Sequence, residues 1–170
     1  VGAGLVIRFD DQEFQKALAQ KAVVIVDGAR RAVWKAGHKY RNRVMDIIRT
    51  EPRGRFRGAV GSSGELRKRI HVEQGSRAGV PAVQVKPGVF YAVFVHEGTR
   101  PHFPPLAPLE VWVRRKLKVK GEKKITRVAR SIQYAIGQRG TDAFPFFRIA
   151  EDRHGNEVVQ VIRREIKKVI

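Results

Sequence analysis

Hydrophobic residues recur at intervals of three or four through the first part of the chain: Phe14, Leu18, Ala22, Val26, Ala29, Val33, Ala36, Tyr40, Val44 and Ile47. That spacing draws one apolar stripe along a helix from about residue 11 to 49, roughly 58 Å long at 1.5 Å per residue. Asp10, with Glu13 three residues on, supplies a capping box at its start. Two features argue against continuity: the β-branched run Val23-Val24-Ile25-Val26 and the turn pair Asp27-Gly28 behind it. The stripe crosses this point without a slip of phase, so the reading is one helix with a kink allowed. Such a helix outgrows a compact domain of this size, which predicts that part of it packs on a neighbouring subunit.

Further along, the period changes. Leu5 to Phe9 reads as a short strand, and Leu66 to Val72 alternates in the manner of a strand with one buried face. Val80 to Val85 and Val89 to Val95 read as two more strands, with turns at Gln74–Gly79 and Lys86-Pro87-Gly88, so the expected unit is an antiparallel meander. Leu106, Leu109, Val113 and Leu117 mark a helix starting near Pro108 and ended by Gly121. Ile125, Val128, Ile132 and Ala135 mark another, with Gly137 as its C-terminal cap. Val158, Val161, Ile162, Ile166 and Val169 mark a last helix, with His154-Gly155-Asn156 as a candidate break. The expected fold is α+β: a long N-terminal helix, a small antiparallel sheet of three to four strands, and C-terminal helices packed on it. One domain spans residues 1–170.

Between the sheet and the later helices lies the most unusual stretch, Tyr91 to Pro105. An apolar run breaks at His96-Glu97-Gly98-Thr99, where Gly98 permits a φ > 0 turn. Arg100, Pro101, His102, Phe103, Pro104 and Pro105 follow, and the prolines fix φ and remove backbone donors. The result is a proline-rich arm at about 96–105 with an aromatic anchor, Phe103. Such an arm loses little entropy on docking and suits a protein contact. Phe144, Phe146 and Phe147 cluster at Pro145, as either a core plug or a subunit contact.

The formal net charge of +19 over 170 residues alters this picture most. Such an excess attracts polyanions, so the expected neighbour is nucleic acid or an acidic protein surface. Two basic stretches are candidates for the contact. Arg53, Arg55 and Arg57 interleave with Phe56 in a glycine-rich loop at about 51–64 that is expected to be mobile. Arg114, Arg115, Lys116, Lys118, Lys123, Lys124 and Arg127 crowd the two helices after the arm. The second group reads either as solvated helix faces or as a partner surface. Single-sign charge solubilises less well than mixed charge, which favours a partner.

Chemistry is sparse. With no cysteine, thiolate metal sites and a thiol nucleophile are excluded. The five histidines show no His-Glu-x-x-His spacing, and no Walker loop, dinucleotide fingerprint or nucleophile elbow is present. The expectation is no enzyme, no metal and no cofactor. No apolar run approaches the roughly 20 residues that span a bilayer, and Val1-Gly2-Ala3-Gly4 is not a signal peptide, so a soluble intracellular protein without a membrane partner is expected.

The run ending Tyr91-Ala92-x-x-Val95, then His96-Glu97-Gly98-Thr99, then a proline-rich arm and a helix, is similar to the tail-completion (neck) proteins of long-tailed, lambda-like double-stranded-DNA bacteriophages. Gly64-Glu65-Leu66-Arg67-Lys68-Arg69-Ile70 upstream and Pro145-Phe146-Phe147-Arg148 downstream extend the resemblance in the expected order over about half the chain. It implies a structural virion protein at the neck or tail, assembled in the host cytoplasm. It also implies a homo-oligomeric ring, sixfold, with head-connector and tail proteins as neighbours. The assembly interface would then be His96, Glu97, Gly98, Thr99, Arg100, Pro101 and Phe103, with Phe146 and Phe147. The alternative, from another class, is a sequence-nonspecific nucleic-acid-binding protein.

Overall fold

The computed structural model describes residues 12–50 and 64–169, with the side chains of 12–15, 17 and 18 outside the described set. The strand expected at Leu5–Phe9, the capping box at Asp10 and Glu13, and the basic loop of Arg53, Arg55 and Arg57 lie outside it. The described residues form an α+β chain: α1 (Gln12–Thr50), α2 (Glu65–Lys68), β1 (Ile70–Arg77), β2 (Val80–Pro87), α3 (Ala92–Glu97), α4 (Leu106–Lys116), α5 (Glu122–Arg139) and α6 (Phe146–Ile166).

Helix α1 is the spine, and its 39 residues run unbroken through Val23–Val26 and Gly28. Gly28 is a packing site rather than a turn. A Cβ there would stand 2.5 Å from a methyl of Val169, just beyond α6. Gly28, Ala32 and Ala36 are four residues apart and therefore share a face, and all three are buried. This strip carries almost no side-chain bulk, so α6 lies close against it. The two helices run antiparallel, since Gly28 meets Val169 whereas Arg43 meets Glu157.

Ion pairs line that seam. Arg43 grips Glu157 through two hydrogen bonds of 2.9 Å. Lys39 reaches the same carboxylate at 2.8 Å, and Lys35 reaches Glu165 at 2.6 Å. The Tyr40 hydroxyl donates to the Phe147 carbonyl oxygen at 2.9 Å, and burial, helped by nearby Glu151, pushes its pKa up to about 12.

On another flank of α1 lies the β1–β2 hairpin, paired from Ile70↔Pro87 to Arg77↔Val80. Its two-residue turn places Ala78 and Gly79 at φ 50° and 77°, the left-handed pair that matches the twist of the strands. The hairpin meets α1 at Gly37, where a Cβ would lie 2.7 Å from a Val83 methyl. Arg41 Nε donates to the Ile70 carbonyl oxygen at 2.6 Å.

Buried side chains fall into two clusters. The larger joins Val44, Ile47 and Ile48 of α1 to Leu66, Ile70, Ala92, Phe144, Phe146 and Ala150. The smaller, Val113, Ile125 and Ala129, with Leu106, Leu109 and Trp112 against it, lies within the α4–α5 pair.

Four expectations are corrected. The third strand, Val89–Val95, is instead the short helix α3. Ala92 is buried while adjacent Val93 and Phe94 are both exposed, a pattern that strand alternation cannot produce. The described sheet therefore has two strands. Leu66–Val72 begins as the helical turn α2, and Leu66 and Ile70, four apart, both enter the core. Helix α5 runs past Gly137 and is capped by Gly140 at φ 75°. Helix α6 continues through Gly155 without a break.

The seam should be acid-labile. Hydrogen bonds from Arg43 and Lys39 hold the Glu157 carboxyl down at about 2, and those from Lys168 and Lys35 do the same for Glu165. A carboxyl depressed in the folded state stabilises fully above its unfolded pKa near 4.5, and that contribution is lost as pH falls toward about 2. Thermal melts between pH 7 and pH 2.5 should show a falling midpoint below about pH 4.5. The fall should be shallower in Glu157→Gln, which has already lost one of the two groups. An identical acid profile for that variant would remove the seam from the explanation.

Candidate assembly arm and cationic lobe

The arm leaves α3 at Gly98, whose φ of 76° and ψ of −174° lie in a region open to glycine alone. A Cβ there would meet the Thr141 carbonyl oxygen at 2.5 Å. Thr99 and Thr141 then exchange backbone hydrogen bonds of 3.1 Å in both directions, and their hydroxyls lie 3.0 Å apart. Gly140, beside this bridge, is equally constrained at φ 75° and ψ −155°, and a Cβ there would occupy the space of the Thr99 carbonyl oxygen. Through this crossing the chain enters and leaves the α4–α5 lobe.

Beyond the crossing the arm is docked on its own chain. Gln133 of α5 donates to the Pro104 carbonyl oxygen at 2.7 Å, and the Phe103 ring lies over Gly137 where a Cβ would sit. Phe103 nevertheless remains 64% exposed, and Arg100 and Pro101 are exposed as well. His96 is turned inward. Its ring meets Phe146 edge-to-face at 5.1 Å and lies 5.9 Å from Phe147, and its Nδ1 is 2.7 Å from Glu97 Oε1. Glu97 is exposed. Phe146 is fully buried in the larger core, so this ring is the plug of the two alternatives and not a contact surface. Phe147 is half-buried and stacked near Tyr40. The residues expected at one interface thus separate into an inner group, His96, Phe146 and Phe147, and an outer group around Arg100–Phe103.

The cationic residues gather on the α4–α5 lobe. Between Leu106 and Arg139, ten Lys and Arg side chains stand against two acids, Glu110 and Glu122. Arg114, named from sequence as a polyanion contact, is already committed: it holds Glu122 at 2.8 and 3.0 Å. Arg115, Lys116, Lys118, Lys123, Lys124 and Arg127 are exposed and have no acidic partner among the described residues. Sequence reading puts Arg130 on the outer face of this helix with Lys123, Lys124 and Arg127 without naming it as a contact, and it misses Tyr134. The signal was available, since Lys123, Arg127, Arg130 and Tyr134 fall at helical spacing on one face of α5.

Among the described residues no cluster of three His, Asp or Glu side chains could hold a metal, and no helix is long and apolar enough to cross a membrane. No family model matches the chain, nor does any curated protein or solved structure.

Two glycine substitutions separate strain from mere contact. Gly140→Ala should cost about 3 kcal/mol in chemical denaturation, because a disfavoured φ and a backbone collision act together. Gly137→Ala displaces only the exposed Phe103 ring and gains helix propensity, so its stability should change by less than about 1 kcal/mol. Equal costs at the two positions would contradict the crossing as the constrained point.

Proposed function

We propose that this chain is a structural subunit that joins copies of itself head to tail into a closed ring, and that the ring is a neck or tail-completion element linking tail to head connector in a tailed bacteriophage. One observation carries the assembly reading. Residues Ala22 to Val26 are apolar on every side of α1, and all are exposed, Val23 by 60% and Val26 by 43%. A helix that is apolar all round belongs in an interior. Nothing described in this chain covers that segment, because α6 and its short extension reach only as far as Gly28.

A second apolar surface on the same chain fits as its receptor. Phe90, Val93 and Phe94 are exposed by 86%, 54% and 54% beside α3. Ala92 of α3 packs with Val44, Ile47 and Ile48 at the other end of α1, roughly 30 Å from Val24 by helix rise. Two different patches at opposite ends of one subunit make a heterologous contact, and such contacts close into rings when the rotation permits. The phage assignment is supported by the ordered resemblance at Gly64–Ile70, Tyr91–Pro105 and Pro145–Arg148, which also implies sixfold closure and joins at the outer arm around Phe103. The second reading, a nonspecific nucleic-acid-binding protein, is favoured by the unpaired cations of the lobe and is compatible with a ring.

Light scattering of the purified chain at physiological salt should give a closed oligomer, visible as rings in micrographs. Val24→Gln with Ile25→Gln should yield monomers of unchanged far-UV helix content, as should Phe90→Ser with Phe94→Ser. Mixing the two variants should restore pairs but no rings, since each pair then holds one intact contact. A monomeric native chain, or a mixture that fails to pair, would overturn the assembly reading.

A further inference from the structure

Lys123, Arg127, Arg130 and Tyr134 occupy positions i, i+4, i+7 and i+11 of α5 and line one open, shallow surface together with Glu122, Thr126 and Ser131. The three cations are exposed and lack an acidic partner among the described residues. The acids nearest the row are occupied. Glu122 is held by Arg114 at 2.8 and 3.0 Å, and Glu110 accepts a hydrogen bond from Thr126 at 2.6 Å. Tyr134 is 64% exposed and brings a hydroxyl donor to the end of the row.

This surface keeps its cations in one line, and of the two acids near it Glu122 is neutralised by Arg114 while Glu110 is hydrogen-bonded by Thr126. We infer that the outer face of α5 docks the phosphate backbone of duplex DNA without reading its sequence. The cations span roughly 10 Å along the helix, on the order of three phosphates at 3.4 Å per strand step. A duplex fits better than a single strand for two reasons. Single-strand sites interleave several aromatic faces in a groove, whereas this face is a convex helix with one exposed ring. An exposed α-helix also matches the dimensions of a major groove, about 12 Å wide. Base reading is not built in, because Gln133, an amide side chain close to the face, is engaged with the Pro104 carbonyl oxygen. The inference does not depend on the ring, since one subunit carries the whole row.

The test is fluorescence anisotropy of the full chain on random-sequence duplex between about 50 and 300 mM salt. Lys123→Gln with Arg127→Gln and Arg130→Gln should flatten the slope of log affinity against log salt by about 3, and weaken binding on the order of 100-fold at 0.15 M salt. A charge-matched control, Arg67→Gln with Arg77→Gln and Arg148→Gln, should lose less than about 10-fold. Equal losses in both triple variants would overturn the inference in favour of diffuse charge. So would tighter binding to polyglutamate or to single-stranded DNA than to duplex. Full duplex affinity in the monomeric Val24→Gln, Ile25→Gln variant upholds the inference whatever becomes of the ring. An α5 triple variant that still forms rings and still binds duplex normally would sink the inference and leave the ring standing.

Discussion

Close approach of α6 to α1 at Gly28, Ala32 and Ala36 determines where every other element can sit. With nothing larger than a methyl group on this strip to hold the helices apart, the larger core concentrates at the far end of the seam. There Val44, Ile47 and Ile48 meet Phe146 and Ala150. Full burial of a side chain such as Phe146 contributes on the order of 2–3 kcal/mol, and Leu66, Ile70 and Val44 are buried as completely. The hairpin and α3 close over this end. The seam also stops short of the first residues of α1, so the apolar segment at Val23–Val26 is left bare by the same geometry that makes the core.

Helical elements with a long stripe were legible in the sequence, because many repeats outvote a local contradiction. Val23-Val24-Ile25-Val26 has strand propensity, yet the helix runs through it, and Asp27-Gly28 is not a turn because the glycine is needed where Val169 packs. Among the short apolar runs, Val80–Val85 is the strand expected, but two others were not legible. Tyr91 to Val95 contains too few residues for periodicity to separate strand from helix. The outcome there depends on long-range facts: a core that receives Ala92, and a hydrogen bond from Phe144 N to the Val95 carbonyl oxygen. Leu66 and Ile70 satisfy both a period of two and a spacing of four, so the alternation around them carried no decision.

The candidate surfaces show the same division. Charge was legible because composition counts it, and the basic residues that follow the arm in sequence fall on the α4–α5 lobe. Which cations are free was not legible, since the pairing of Arg114 with Glu122 depends on how α4 and α5 fold together. In the aromatic cluster, sequence left open whether Phe146 faces a neighbour or the interior. Its place between Phe144, Phe147 and His96 resolves that in favour of the interior. Gly98 was recognised as a turn glycine. Its counterpart Gly140 was not, because the need for it arises only where two distant segments cross.

That crossing has a consequence for how the chain can be varied. Thr99 and Thr141 are forty-two positions apart, yet they are direct partners in an antiparallel bridge. Everything between them therefore leaves the body and returns to it at a single doorway, with its own apolar cluster inside. A segment attached in this way behaves as an insertion: a tight turn spanning the doorway could replace it while α1, the hairpin and α6 keep every contact they make with one another. Length and charge in the lobe are thereby uncoupled from the scaffold, and its outer surface is free to diverge at a rate the core cannot follow.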